Sequence, residues 1–185
     1  MTSRPPSQAI VDFQSSCQKY FVCYSFSVNG LEDNALKLAS ITVDREKLLI
    51  VGAHPDTGHW HAKIKIQEAI DSSQQDSVFA DKIAKSFITA MYSEWDEYYR
   101  HRLAEEVGVP AGTLKCDLMG DLRLIRHCIV HNKAIITDEQ TRIKQLGWPL
   151  IPGSLSVTRD MLSLLIDQIN RMTVTIAADE ILPVI

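Results

Sequence analysis

Asp117-Leu-Met-Gly-Asp-Leu-Arg-Leu-Ile-Arg-His-Cys-Ile-Val-His-Asn-Lys133 sets two arginines, two histidines and two aspartates into one helical pattern. Leu118, Leu122, Ile125 and Ile129 recur at spacings of four and three, so they form one apolar stripe. At about 100° per residue, His131 points nearly opposite that stripe, with His127 and Arg123 close to it on the same side. Arg126 lies at the margin of the stripe, roughly 140° from His131. One side of this helix is made for a core. The other carries a cation, two imidazoles and a terminal Asn132-Lys133. A solvated helix face needs charge, but it rarely needs two histidines beside arginines.

Outward from this helix the chain reads as mainly helical. Gln74 to Val107 holds no Gly or Pro. Val78, Phe79, Ile83, Phe87, Met91, Trp95 and Tyr98 step at mostly helical spacing, and Gly108 with Pro110 stops the run. After the central helix, Thr137 to Leu146 reads as a short helix or turn and Trp148 to Gly153 as a loop. Thr158 suits an N-cap with Asp160 in the first turn, and Met161, Leu164, Leu165, Ile169 and Met172 mark the face of a final helix.

The first seventy residues speak less plainly. Ile10 to Val28 fits both a helical and an alternating pattern; the helical one is favoured, ending at the stop signal Asn29-Gly30. Leu31 to Ser40 then makes a second short helix. Lys47 to Ala53 is either a buried strand or a helix end, His54 to His61 is a loop around Pro55 and Gly58, and Ala62 to Ser72 reads as a helix. The expected class is an all-α bundle, in which residues 1–70 form an extension with room for a short β element and residues 71–185 form the helical domain.

With 185 residues the chain fits one domain with an appended part. A net charge of −4 supplies no broad basic surface for duplex DNA, though a local basic site stays open. Cys17, Cys23, Cys116 and Cys128 form no Cys-x-x-Cys pair, which sets aside zinc-ribbon and thioredoxin readings. No secretory pattern and no membrane-length apolar run stand in the sequence, so a cytoplasmic protein with reduced thiols and no membrane partner is expected.

Arg126-His127-Cys128-Ile129-Val130-His131 is an arginine, a polar residue, three further residues and a histidine, late in a helix of an all-α chain. This resembles the ribonuclease motif of the HEPN superfamily, in which Asn commonly follows the arginine; here His127 stands there. The aromatic-rich helix with Tyr92, Trp95, Tyr98, Tyr99 and Arg100, and the helix after Thr158, are similar to that family's layout, so the resemblance covers about residues 75–175. It implies an HEPN-like helical bundle. It also implies a metal-independent endoribonuclease of the stress, defence or toxin type acting on RNA, or a non-catalytic relative that binds nucleotide, RNA or a partner protein. HEPN proteins generally pair two copies of this helix, so a homodimer with the site at its interface is implied, together with a neutralising or regulatory protein.

The residues suit that chemistry on their own terms. Cleaving RNA through its 2′-hydroxyl needs no metal and no enzymic nucleophile. It needs a group that moves protons near neutral pH, which histidine provides. It needs a cation that grips phosphate oxygens in two places, which suits arginine. Arg126 and His131 are therefore the expected catalytic pair, with His127, Arg123, Asp121, Asn132 and Lys133 supporting or contacting RNA, and with no cofactor or metal. A straight helix does not aim Arg126 and His131 at one point, so a partner protomer or unwinding near Asn132 is expected to bring them together.

Other patterns are weaker. His54, Asp56, His59 and His61 have the donor types and short spacing of a zinc loop. The loop also resembles the His-Pro-Asp-Asp-Glu loop of zinc-dependent de-N-acetylases, but Thr57 and Gly58 stand where that family has Asp and Glu, so a polar loop around Trp60 is favoured. His127 and His131, four apart, have the spacing of a His-Glu-x-x-His chelate, but Cys128 replaces the glutamate. Tyr92 to Tyr99 is read as core before it is read as a base-stacking surface, and Arg100-His101-Arg102 as a solvated helix end.

Overall fold

The computed structural model describes residues 7–52, 57–138 and 140–177. These separate into two compact units, one of residues up to Val22 with those from Ala84 on, the other Cys23–Ile83. Most of the described chain is helical, and the six strands are short. Among the described residues, no helix is long and apolar enough to cross a membrane.

The first helix, α1, runs unbroken over Gln8–Ile41, so the stop expected at Asn29-Gly30 is absent. Ala9, Phe13, Cys17, Tyr24, Val28 and Ala35 are all buried, and this stripe continues past Gly30. Burial along it outweighs the cost of a glycine inside a helix, about 1 kcal/mol. Phe13 packs its ring 5.3 Å from that of Trp95, and Glu94 accepts hydrogen bonds from Ser16 Oγ at 2.7 Å and Tyr20 Oη at 2.6 Å. These contacts are why the start of the chain belongs with its later helices rather than with an extension ending at residue 70.

In the unit Cys23–Ile83, β1 (Leu48–Val51) pairs antiparallel with β2 (Ala62–Lys65), followed by α2 (Ile66–Ser72). Ala35, Ile66 and Ile70 form a small core against which Leu38, Ala39 and Leu49 pack. The strand expected within Lys47–Ala53 is present but not buried, since Leu48, Ile50 and Val51 are about half exposed. Ala62 to Lys65, expected as helix, is the return strand.

The long helical run resolves into α3 (Val78–Glu94), whose first residues belong to the unit Cys23–Ile83, a π turn (Trp95–Tyr99) and α4 (Arg100–Val107). Gly108 ends it at φ 75°, its N–H reaching the Ala104 carbonyl at 2.9 Å. The buried face of the run is Ala80, Ala84, Ile88, Met91 and Trp95. Tyr98, placed on the apolar stripe by helical spacing, is exposed. A π turn advances more residues per turn, so the residue three on no longer returns to the same face.

The strand β3 (Leu114–Lys115) leads into α5 (Asp117–His131), the central helix, and pairs with β6 (Thr175–Ile176) near the end of the described chain. Leu118, Met119, Leu122, Ile125 and Cys128 of α5 are buried; Ile129 is only half-buried. Just after α5, β4 (Ile135–Ile136) pairs with β5 (Gly153–Ser154). A 3-10 turn at Gln140–Arg142 stands within the stretch read as a short helix or turn. Thr158 Oγ1 accepts the N–H of Met161 at 3.3 Å and caps α6 (Arg159–Asn170), as its sequence position suggests. The buried face of α6 is Leu162, Leu165, Ile166 and Ile169, turned from the expected set so that Leu164 is 40% exposed.

Candidate functional site

The chemistry gathers at the C-terminal end of α5. Arg126 Nη1 stands 3.5 Å from His131 Nε2, and the His127 and His131 rings lie 4.9 Å apart at 42°. One helix therefore brings Arg126 and His131 together, against the expectation that a partner or unwinding was required. Five residues rise about 7.5 Å along the axis, a distance that arginine's long side chain covers. Guanidinium only donates, so in a hydrogen bond between them His131 Nε2 would be the acceptor. At 3.5 Å it is the outer limit of a hydrogen bond, so each group retains capacity for a ligand. Arg126 Nε is buried and makes no hydrogen bond among the described residues. A donor left in that state costs free energy.

The helix ends sharply beside these residues. Asn132 and Ala134 both donate their N–H to the Cys128 carbonyl, at 3.1 and 3.0 Å. Lys133 and Ala134 are left-handed, with φ 51° and 58°. This is a left-handed helix end with lysine in the place glycine usually takes. Cys128 Sγ adds a hydrogen bond to the Ile135 carbonyl at 3.1 Å, and Leu155 N donates to the Ala134 carbonyl at 2.8 Å. The turn that follows His131 is thus pinned from two sides, and Lys133 is held exposed at its apex.

On the flank of α5 lies a cleft of about 400 Å³. Arg123, Arg126 and His127 line it from α5; Tyr92, Asp96 and Glu97 line it from the end of α3 and the π turn. His131 stands beside this cleft, exposed, and is not part of its wall. Asp96 is bound to Arg100 at 2.9 Å. Arg123 and Glu97 make no hydrogen bond or ion pair among the described residues. Burial first, then the Asp96 carboxylate, raises the Tyr92 phenol above its ordinary range, partly offset by Arg123, Arg100 and Arg126. The π turn is the feature that sequence spacing missed; nothing in the residues Trp95–Tyr99 announces it, yet it presents Asp96 and Glu97 to the cleft.

The remaining expected site residues divide. Asp121 does not face the cleft. It is buried, and its Oδ2 accepts the backbone N–H of Lys144 at 2.9 Å, Gln145 at 2.5 Å and Leu146 at 3.1 Å. Of its two expected roles, supporting the site or contacting RNA, the geometry speaks against direct contact: the carboxylate is spent on holding a loop. Asn132 serves the helix end through its backbone, taking the N–H of Ile135 on its carbonyl at 2.9 Å. Arg100 donates to the Ala111 carbonyl and to Asp96, and Arg102 pairs with Asp12 at 2.9 Å, so these arginines are engaged within the fold.

Of the second candidate, His54 and Asp56 lie outside the described residues. His59 and His61 are exposed with rings 5.6 Å apart, and Trp60 is 44% exposed under the Lys63 ammonium, 4.7 Å from the ring centroid. Among the described residues, no group of three or more His, Cys, Asp or Glu side chains is placed to hold a metal ion. All four cysteines are free, Cys17 and Cys128 buried and Cys23 exposed. Comparison with family models, with curated proteins and with solved structures returned no match to this chain.

Proposed function

We propose that the protein is an HEPN-type endoribonuclease that cuts single-stranded RNA without a metal, by attack of the ribose 2′-hydroxyl on the adjoining phosphate. The observation that carries this reading is the 3.5 Å approach of Arg126 Nη1 to His131 Nε2 at an exposed helix end. His131 accepts the 2′-hydroxyl proton on Nε2 once Arg126 Nη1 has turned from that nitrogen to the phosphate. Arg126 holds the non-bridging oxygens through its terminal nitrogens as charge grows on them. His127, whose ring centroid lies 4.9 Å from that of His131, returns a proton to the departing 5′ oxygen. Lys133 and Arg123 extend the cationic track for the backbone. The working unit is a homodimer that sets two such helix ends side by side in one compartment, the cytoplasm, where a neutralising or regulatory protein restrains it.

A second reading has one observation in its favour. Asp96 and Glu97 line the same cleft as Arg126. Carboxylates disfavour a phosphate nearby, as a scaffold that binds a partner rather than cutting RNA would tolerate.

The experiment is mass spectrometry of fragments from a single-stranded RNA incubated with the full chain in EDTA. The upstream fragment should end in a 2′,3′-cyclic phosphate and the downstream one should begin with a free 5′-hydroxyl. DNA, which lacks the attacking group, should stay whole. His131→Ala should slow cleavage by about 10²–10⁴-fold. Arg126→Lys keeps the charge but loses the planar fork, so it should lose most of the activity. A 5′-phosphate on the downstream fragment rules out this chemistry. Undiminished cleavage by His131→Ala rules out this site, and light scattering that shows a monomer at micromolar concentration rules out the dimer.

A further inference from the structure

We propose that the cleft between the π turn and α5 is a nucleobase subsite that selects guanine in the RNA strand. The inference rests on the reading of the α5 end as an RNA site, and it accounts for the acidic groups that reading leaves over. The cleft, at about 400 Å³, has the size of a small-molecule pocket. It holds a carboxylate and a guanidinium, Glu97 and Arg123, that make no hydrogen bond or ion pair among the described residues.

Guanine is the base that needs both. Its Watson–Crick edge presents the N1 and N2 N–H groups side by side, and a single carboxylate accepts from both. Its opposite edge presents O6 and N7, the acceptor pair that suits arginine's fork. Adenine and cytosine set an amino group beside a ring acceptor whose lone pair a carboxylate repels. Uracil offers one N–H between two carbonyls. Tyr92 supplies an aromatic wall of the kind on which unpaired bases stack. Arg126 and His127 line the same cleft, and Arg126 reaches His131. A base seated there therefore adjoins the phosphate that Arg126 grips. Asp96 is tied to Arg100, so it shapes the wall while Glu97 reads the base.

Two measurements on the full chain test this. Calorimetry compares guanosine 3′-monophosphate with its adenosine, cytidine and uridine counterparts, for the natural chain and for Glu97→Gln. Cleavage sites are mapped on a single-stranded RNA of mixed sequence. Guanosine 3′-monophosphate should bind about tenfold or more tighter than the other three, and Glu97→Gln should bring that ratio near one. Cleavage should fall at guanines. Four equal affinities, or a guanine preference that survives Glu97→Gln unchanged, overturns the subsite. Cleavage with no base preference keeps the nuclease and removes the subsite. Guanine-selective binding that needs Glu97, with no RNA cut, keeps the subsite and removes the nuclease.

Discussion

Asp121 Oδ2 accepts the backbone N–H of Leu146 at 3.1 Å, so a carboxylate on α5 holds a loop 25 residues further on. The same oxygen takes the N–H groups of Lys144 and Gln145. Three donors converge on one buried charge, and hydrogen bonds to charged groups are among the stronger contributions to stability. Asp121→Ala should destabilise the fold by about 3 kcal/mol, because it leaves those donors without their acceptor. Urea unfolding followed by circular dichroism measures it. A loss of RNA affinity with an unchanged urea midpoint would return Asp121 to the binding surface.

Tyr20 gives the alkaline limb of stability. Its hydroxyl donates to Glu94 at 2.6 Å, and that bond, then burial, then the Glu94 charge push the phenol up to about 12. The unfolded phenol titrates near 10. Between these values the folded state holds a proton that the unfolded state has released, so stability is full below about pH 10 and falls as pH rises towards 12. Tyr20 is only half-buried, so solvent screening keeps the fall modest. Urea midpoints at pH 9 to 12 should decline more steeply for the natural chain than for Tyr20→Phe. Parallel curves would show that Tyr20 contributes nothing to the limb.

How much of this could be read from residues alone follows from which forces act locally. The cap at Thr158, the stop at Gly108 and the apolar face of α5 were legible because each is set within a turn or two of chain. Gly30 misled because a stop signal of about 1 kcal/mol competes with a whole stripe of burial that a short window does not weigh. Asp121 misled because its partners lie beyond residue 143 and are backbone groups, which no residue type advertises. The pairing of Arg126 with His131 was read in kind but not in geometry. Angles around a helix describe where side chains leave the axis, not how far a guanidinium reaches. The cleft itself was hidden by the π turn, a backbone event with no residue signature here.

Lys133 sets stability against function at a single residue. It occupies the left-handed position after α5, at φ 51°, where a side chain is strained and glycine is not. Ala134 follows at φ 58°, so the strain is doubled in the two residues that turn the chain away from His131. Strain of this kind persists where the surrounding structure holds it, as the Cys128 carbonyl and the β4–β5 pair do here. Lys133→Gly should therefore stabilise the fold by about 1 kcal/mol. The same change removes an exposed ammonium from the apex of the turn beside Arg126 and His131. If that ammonium meets a phosphate of the bound strand, RNA affinity should weaken across all sequences, and the slope of log affinity against log salt should shrink by about 0.7. Two measurements on one variant give the answer: a urea midpoint, and binding of a fluorescent single-stranded RNA at several salt concentrations. A higher midpoint with a shallower salt slope places Lys133 on the RNA path. A higher midpoint with an unchanged slope makes lysine there a matter of the turn alone, and an unchanged or lower midpoint means the left-handed turn stores no strain that glycine relieves.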